Sequence, residues 1–378
     1  MKFNTSSIDF SAALQTVSMA VAARNVVSAL ECILVEAGDD DVVALTGSDG
    51  NTRITVRLSC SVQEPGAALL RAKTFEEITR KFPHCDIAVS TDSGGNVTIK
   101  GGRVKTRLSS MAPDQYPAHE PAELTSSLTL PASRFCALIA SVEDCIATDE
   151  ARPILTGGCL DAHDGSVTMV GLDGFRLGLR TVSDPASTLE EDAKVIVPAH
   201  SLRMLKKLLS RAGDEPITLN FGEKELSVIY GGAEFNCRLI EGEFIAYRKI
   251  IPGKFATRVQ VNALNMRAAV DRLITLAANS GKNGKLMKLS ISEENGFVLH
   301  GVSSDSDITE DVDADIHGSS LEISFNALYF MDALKQFDEG DIVILFNTSV
   351  SPCIISYADS ADIDADEFIW LILPVRAA

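Results

Sequence analysis

The sequence predicts an α+β protein of three repeated domains, each made of two strand-helix-strand-strand-strand halves. Three observations predict it. Residues 2–22, 127–147 and 258–278 share one pattern, a short alternating strand turning into a helix of about a dozen residues. Residues 194–239 show a whole half-unit, one strand and one helix followed by three strand candidates. The joins are alike too: Leu108-Ser109 and Leu239-Ile240 each lead into an irregular segment holding a tyrosine and a proline, Tyr116-Pro117 in one and Tyr247 with Pro252 in the other. Self-similarity at a fixed period marks a repeat architecture.

In chain order, the first half opens with the strand 2–4 and a helix whose apolar face is Phe10, Leu14 and Val17. The second runs from Ala68-Leu69-Leu70-Arg71 through a helix at 74–82 to strands at 86–90, 96–100 and 103–108. The third has its strand at 128–130 and the face Phe135, Leu138 and Val142. In the fourth, Lys194-Val195-Ile196-Val197 is a half-buried strand, and Ser201 is read as the N-cap of a helix from Leu202 to Leu209. Leu202, Leu205, Leu208 and Leu209 form its apolar face, Gly213 closes it, and strands follow at 217–221, 225–230 and 234–239. The fifth has a strand at 259–261 and the face Met266, Val270 and Leu273; the sixth has a strand at 321–325, a helix at 327–337 and strands at 341–347 and 353–357. The apolar run from Phe368, with the only tryptophan, Trp370, reads as a central strand through Ile372. Half-units therefore begin near residues 2, 68, 127, 194, 258 and 321, which divides the chain into domains at 1–126, 127–252 and 253–378. One half alone has too little core to stand by itself.

With 378 residues and 46% apolar content the chain has ample material for real cores. Its 34 basic and 52 acidic side chains leave a net charge of −18. That balance argues against an ordinary sequence-reading nucleic-acid binder, while leaving room for a basic surface inside an acidic shell. Eight scattered cysteines show no CxxC and no metal-ligand spacing with histidine, a cytosolic pattern. Cys32, Cys136 and Cys237 fall in apolar-periodic segments and are expected to be buried. Asp9, Ser11 and Gln15 interrupt the N-terminal apolar stretch, so a signal peptide is not expected, nor is a membrane span.

Enzyme chemistry is poorly represented. The chain has no P-loop, GxGxxG, GxSxG or HExxH, and its six histidines are dispersed, so no catalytic residue, metal or cofactor is expected. The acidic stretch Asp305, Asp307, Glu310, Asp311, Asp313 and Asp315 lacks EF-hand spacing and reads as solvated loop and edge strand, with 311–316 alternating. Gly171-Leu172-Asp173-Gly174 echoes Gly47-Ser48-Asp49-Gly50, and Asp-Gly is hairpin chemistry. Phe175 and Leu177 just beyond it suit either a core or a pocket. The sharpest chemical signal is the basic side of the fourth helix region, with Arg203, Lys206, Lys207 and Arg211 and no acid before Asp214. A second is the C-terminus, where the chain stops within a few residues of a central strand and brings Leu373-Pro374-Val375-Arg376 near a surface.

Taken together, Arg152-Pro153-Ile154-Leu155-Thr156-Gly157, Asp173-Gly174-Phe175-Arg176-Leu177, Gly242-Glu243-Phe244 with Tyr247-Arg248, Phe325-Asn326 with Tyr329, and Leu373-Pro374-Val375-Arg376 give the chain a full-length resemblance to the bacterial DNA polymerase sliding clamps, the beta subunits of the polymerase III holoenzyme. The resemblance implies a DNA-clamp fold and a head-to-tail homodimer, a ring with helices inside and sheets outside. Twelve helices about 10 Å apart make a circle roughly 38 Å across, and removing one helix diameter of about 10 Å leaves a hole of roughly 28 Å. Such a ring holds double-stranded DNA by encirclement and weak phosphate contacts, without reading sequence.

The resemblance further implies a partner pocket formed by Leu155, Gly174, Phe175, Arg176, Leu177, Ile250, Asn326, Tyr329, Val350, Leu373, Pro374, Val375 and Arg376. It would take short apolar peptide motifs from the polymerase III catalytic subunit, clamp-loader subunits, translesion polymerases and mismatch-repair proteins. Arg24, Lys73, Arg80 and Lys207 match the family's DNA-contact positions, in a cytoplasmic, nucleoid-associated protein. The chain departs from the family pattern at Asn25-Val26-Val27, Pro153, Ile154 and Lys249.

Overall fold

A computed structural model describes residues 1–120, 122–163, 165–183, 191–277, 286–302, 306–358 and 368–375. Six α-helices occur among them, each following directly on a strand: α1 (Ser7–Ser18), α2 (Ala72–Thr79), α3 (Ala132–Ala140), α4 (Ala199–Leu209), α5 (Ala263–Ala277) and α6 (Ala327–Leu334). Three antiparallel strands follow every helix, as in Pro216–Gly222, Glu225–Tyr230 and Ala233–Arg238 after α4. The expected half-unit is therefore present six times, and the first and fifth halves each add one short strand, Ser61–Glu64 and Ala314–Gly318.

Contacts gather the chain into two units. One, drawn mainly from Met1–Cys136 and His200–Leu239, holds a five-stranded and an eight-stranded sheet. In the larger sheet Ala233–Arg238 pairs with Thr52–Ser59, so strands from two of the expected domains share one ladder. The core under the five-stranded sheet is aromatic, with Phe3 and Phe75 each 5.8 Å from Phe10 between ring centroids. The second unit, drawn from Ala137–Thr188, Asp192–Ala199 and Ile240–Ala378, holds a nine-stranded and a four-stranded sheet. Phe368–Ile372 lies in the middle of the nine, paired with Arg176–Ser183 on one side and Cys353–Tyr357 on the other, which is the expected central strand. Trp370 is fully buried there, with Phe337 and Phe368 edge-on at 5.2 Å. Each such side chain stabilises the fold by roughly 1.5–3 kcal/mol through burial.

The repeated Gly-x-Asp-Gly motif has a packing cause as well as a turn cause. A Cβ on Gly47 would stand 2.2 Å from the Val17 carbonyl oxygen, and one on Gly171 would stand 2.6 Å from that of Val142. The strand runs against the last turn of α1 in one copy and against the chain just past α3 in the other, closer than any side chain allows.

Four expectations need correction. Ser201 is not an N-cap: α4 begins two residues earlier, and the buried Ser201 hydroxyl is 3.0 Å from that of Thr52. Gly213, at φ 55°, reverses the chain after the helix has already ended at Leu209, which leaves Arg211 outside it. Cys136 is half-buried, whereas Cys32 and Cys237 are buried as expected. The acidic stretch is not one edge strand but two, Asp307–Val312 at the rim of the four-stranded sheet and Ala314–Gly318 at the rim of the nine-stranded one. Asp305 lies outside the described residues.

Candidate functional site

The strongest candidate grows from the hairpin that joins Ser166–Leu172 to Arg176–Ser183. Asp173 Oδ1 accepts from the backbone N–H of Phe175 at 2.8 Å and of Arg176 at 2.9 Å, and Gly174 adopts φ 92°. Asp49 closes its own hairpin in the same way onto Asn51 and Thr52. The residues that leave the two turns differ. Phe175 is 60% exposed, while Leu177 is wholly buried. The two readings left open by the sequence therefore divide between the two residues.

Arg176 is the hub. Its Nε donates to Asp173 Oδ2 at 3.0 Å, and its Nη1 donates to Asp332 Oδ2 on α6 at 2.6 Å. The guanidinium lies over the Tyr329 ring, 4.5 Å from the centroid, and Tyr329 in turn stacks on Phe175 at 6.3 Å and 29°. Burial alone would lower the guanidinium pKa, but the bond to Asp332 and the nearby Asp173 carboxylate outweigh it, and the net direction is upward. Arg176 stays charged and is fixed by its bonds to two carboxylates, so it works as a rigid platform. Lys335 Nζ, 3.0 Å from Asp332 Oδ1, occupies the other oxygen of that carboxylate.

The C-terminal strand delivers the remaining apolar groups. Leu373 N–H donates to the Phe175 carbonyl at 2.9 Å, and Val375 N–H to that of Ser324 at 2.8 Å. Leu373 and Val375 are 39% and 42% exposed, with Pro374 half-buried between them. Asn326 caps α6, its Oδ1 accepting from Leu328 N–H at 3.1 Å. Gly174, Phe175, Arg176, Tyr329 and Leu373 are thus brought together. Leu155 and Leu177 lie in the buried cluster with Leu172, Tyr247 and Leu371. Ile250 and Val350 are exposed, and neither hydrogen-bonds to the stacked group among the described residues. Arg376 lies outside the described residues.

Sequence reading misses Asp332. Its available signal is the spacing to Tyr329, one helical turn away, which puts an aromatic ring and a carboxylate on one face of α6. An exposed apolar rim around a locked cation–aromatic stack suits the docking of apolar side chains. No cluster of histidine, cysteine or acidic residues able to hold a metal ion occurs among the described residues.

The basic residues gather in the other unit. Lys73 on α2, Arg80 at its C-cap, and Arg203 and Lys207 on α4 are exposed, as are Arg24 in the turn after α1 and Arg211 beyond α4. None of these six forms an ion pair among the described residues. Lys206 is half-buried. In the second unit, by contrast, Arg272 on α5 is bound to Glu310 through Nε at 2.9 Å, and Lys335 is bound to Asp332. Asn25 pins the Arg24 turn, donating to the Asp49 carbonyl at 3.1 Å, and leaves Val26 fully exposed.

Three family models match in order: the DNA polymerase III beta subunit N-terminal domain at residues 1–120, its central domain at 129–245 and its C-terminal domain at 248–374. A beta sliding clamp of Staphylococcus epidermidis is 29% identical over 370 residues, covering 94% of each chain. The crystal structure of the DNA polymerase sliding clamp from Bacillus subtilis matches all of both chains, with a TM-score of 0.92 and 27% identity. That of a putative DNA polymerase III beta subunit from Eubacterium rectale gives the same TM-score and full coverage at 26% identity.

Proposed function

Because the chain belongs to the DNA polymerase III beta-subunit family, we propose that it acts as a homodimeric ring around duplex DNA, tethering polymerases and the clamp loader through the Phe175–Tyr329 site. It is a sliding clamp, a non-enzymatic processivity factor with the three-domain clamp fold. The observation that carries the encirclement reading is the full-length likeness to solved sliding clamps at TM-score 0.92, with one helix in every one of six half-units.

In this reading the domains run 1–126, 127–252 and 253–378. Arg24, Lys73, Arg80, Arg203, Lys206, Lys207 and Arg211 face the phosphates. Exposed cations with no ion pair among the described residues, as all of these but Lys206 are, support weak, sequence-independent contact. Ring closure is supported by two outer strands of opposite charge. Val104–Leu108, at the rim of the five-stranded sheet, carries Lys105 with Arg103 just before it, and Arg107, which is bound to Asp92. Asp307–Val312, at the rim of the four-stranded sheet, carries Asp307 and Asp311, with Glu310 already bound to Arg272. A pit of about 290 Å³ beside the basic strand, lined by Leu69, Leu70, Phe75, Leu108 and Met111, offers an apolar seat at the same edge. Unpaired strand edges of complementary charge are natural partners for one another.

The pocket comprises Leu155, Gly174, Phe175, Arg176, Leu177, Ile250, Asn326, Tyr329, Val350, Leu373, Pro374, Val375 and Arg376. It takes short apolar motifs of the polymerase III catalytic subunit, clamp-loader subunits, translesion polymerases and mismatch-repair proteins in the cytoplasm. The deciding experiment loads the protein on nicked circular DNA and then linearises the circle. Retention on the circle and loss from the linear form is the expected result; equal retention on both would refute a topological link.

A further inference from the structure

In the unit built mainly from Met1–Cys136 and His200–Leu239, a cleft of about 450 Å³ opens on the polar face of the eight-stranded sheet. Its floor is a patch of short or hydrogen-bonding side chains in register. Thr46 stands opposite Thr55, Asn236 opposite Arg53, and Ser227 opposite Asn236. Pro113, Tyr116, Pro117, His119, Ala122 and Leu124, from the crossing segment, line its other side. Arg53 Nη2 donates to the Pro117 carbonyl at 3.1 Å, and His119 Nε2 lies 3.4 Å from Asn236 Nδ2 and 3.5 Å from Glu225 Oε1. Arg57 is bound to Glu234 at 2.9 Å.

The strong donors of the cleft are therefore engaged with the protein itself, and acceptors are left over. Asn236 is 7% exposed, and its Oδ1 has no hydrogen-bond partner among the described residues. The Tyr116 hydroxyl, which can accept as well as donate and sits on a residue also 7% exposed, has no partner among the described residues either. The Glu36 carboxylate lines the cleft without a hydrogen bond or ion pair among the described residues. A buried acceptor left unpaired costs about 1–3 kcal/mol, so the cleft calls for a ligand that brings donors and positive charge.

The second copy of the same half-unit shows what satisfies such a place. Cys32 stands opposite Arg71, and Gly157 opposite Pro198, each the last residue before a helix. Counting from these pairs, Glu36 opposite Ala67 corresponds to Asp161 opposite Lys194. Lys194 Nζ lies 3.5 Å from Asp161 Oδ2 and 5.3 Å from the centroid of the Tyr247 ring, whose hydroxyl donates to the same oxygen at 2.9 Å. The second copy supplies its own ammonium group. The first has Ala67 in its place, and the cation over its Tyr116 ring, Arg53 at 5.6 Å from the centroid, donates to the Pro117 carbonyl.

We propose that this cleft binds an alkylammonium group, supplied by a lysine side chain of a partner polypeptide. Leu34, Pro113, Pro117 and Leu124 line its walls and suit the methylene stem of such a residue. The volume exceeds what a lone ammonium fills and accommodates a short peptide segment around it. Tyr116 and Asn236 are within the site, and a ligand seated there meets the acceptors that the fold leaves unpaired.

The test titrates the full dimeric protein with acetyl-alanyl-lysyl-alanine amide, with its norleucine analogue and with putrescine, followed by saturation-transfer NMR at fixed salt. The lysine peptide is expected to bind about tenfold tighter than the norleucine peptide, and putrescine more weakly than the lysine peptide. Ala67→Lys, which gives the first copy the ammonium of the second, is expected to abolish lysine-peptide binding at an unchanged melting temperature. Glu36→Gln, an exposed and isosteric change, is expected to weaken it about tenfold and serves should Ala67→Lys not fold. Equal binding of the norleucine peptide, or Glu36→Gln and Ala67→Lys proteins that bind as the parent does, overturns the site. Putrescine binding as tightly as the peptide overturns the polypeptide source. None of these measurements involves DNA or the Phe175–Tyr329 site, so their failure leaves the clamp reading standing.

Discussion

The guanidinium of Arg176 lies 4.5 Å from the centre of the Tyr329 ring and is held there from behind by Asp332, one helical turn along α6 from that ring. The corresponding pair in the first copy is Thr52 and Ser201. Thr52 is the third residue after its turn aspartate, as Arg176 is, and Ser201 is the third residue of α4, as Tyr329 is of α6. Their hydroxyls meet at 3.0 Å, and both residues are buried. Two short side chains close the position, where a long cation and an aromatic ring build a platform. One backbone plan thus gives a sealed joint in one copy and an exposed apolar surface in the other.

Tyr329→Ala removes the middle layer of the stack and should weaken a fluorescent polymerase-derived peptide about thirtyfold, the loss expected of a central aromatic anchor. Asp332→Asn keeps the shape of that side chain but removes the charge that orients Arg176, and should weaken the same peptide by about three- to tenfold. Fluorescence anisotropy measures both, with melting temperature and dimer mass recorded alongside. Affinity within about twofold of the parent for Tyr329→Ala would mean that the peptide docks elsewhere.

Uneven placement of unpaired cations predicts an uneven grip on DNA. Replacing both Arg203 and Lys207 with alanine should lower the slope of log affinity against log salt by about 0.9 for each phosphate that is no longer neutralised. Arg272→Ala should leave the slope unchanged, because Glu310 already neutralises that side chain. Filter binding across a salt series reads the slopes directly. An equal drop for Arg272→Ala would show that the second unit grips as firmly as the first.

Glu225 gives a pH-dependent prediction. Burial is the main cause that raises its pKa above 4.5, with help from Glu234, against the lowering effect of His119. A carboxyl raised in the folded state binds its proton more tightly there than in the unfolded chain. Its ionisation therefore costs stability as pH rises above 4.5, and the whole cost is present once pH exceeds the folded value. Glu225→Gln should raise the melting temperature at about pH 7 and lose that advantage at about pH 4, below the unfolded value. A gain that is equal at both pH values would point to packing as its cause.

Much of this is legible in the sequence because the repeats report on one another. Phe10, Phe135 and Met266 mark the same helix face in three copies, and all three are buried. The Asp49-Gly50 and Asp173-Gly174 turns are likewise readable, since positive φ and the aspartate cap are local requirements. What cannot be read depends on contacts distant in sequence. Asp332 matters through Arg176, 156 residues away. Gly47 and Gly171 are needed because a carbonyl at the end of the preceding helix, or just past it, comes within reach, and no spacing rule announces that. The start of α4 is hard to place because Pro198 reads as a break, although proline fits well just before a first helical turn.

The charged rims make ring closure testable by exchange. Arg103→Glu with Lys105→Glu turns the basic outer strand acidic, and Asp307→Lys with Asp311→Lys turns the acidic one basic. Either pair alone sets like charges against each other at the proposed joint and should weaken the dimer about tenfold or more. Mixing the two doubly substituted chains should give a heterodimer in which one joint pairs the two new charges and the other keeps the parental pair, so both joints close. All four substitutions in one chain should recover a homodimer close to the parent. Sedimentation equilibrium at low salt gives the association constants, and high salt should shrink the differences, since exposed charges are screened over about 10 Å at 0.1 M. Dimers of parental strength from either doubly substituted chain would place the joint on other strands, whereas weak dimers from all three would mean that the substitutions damage the sheets themselves.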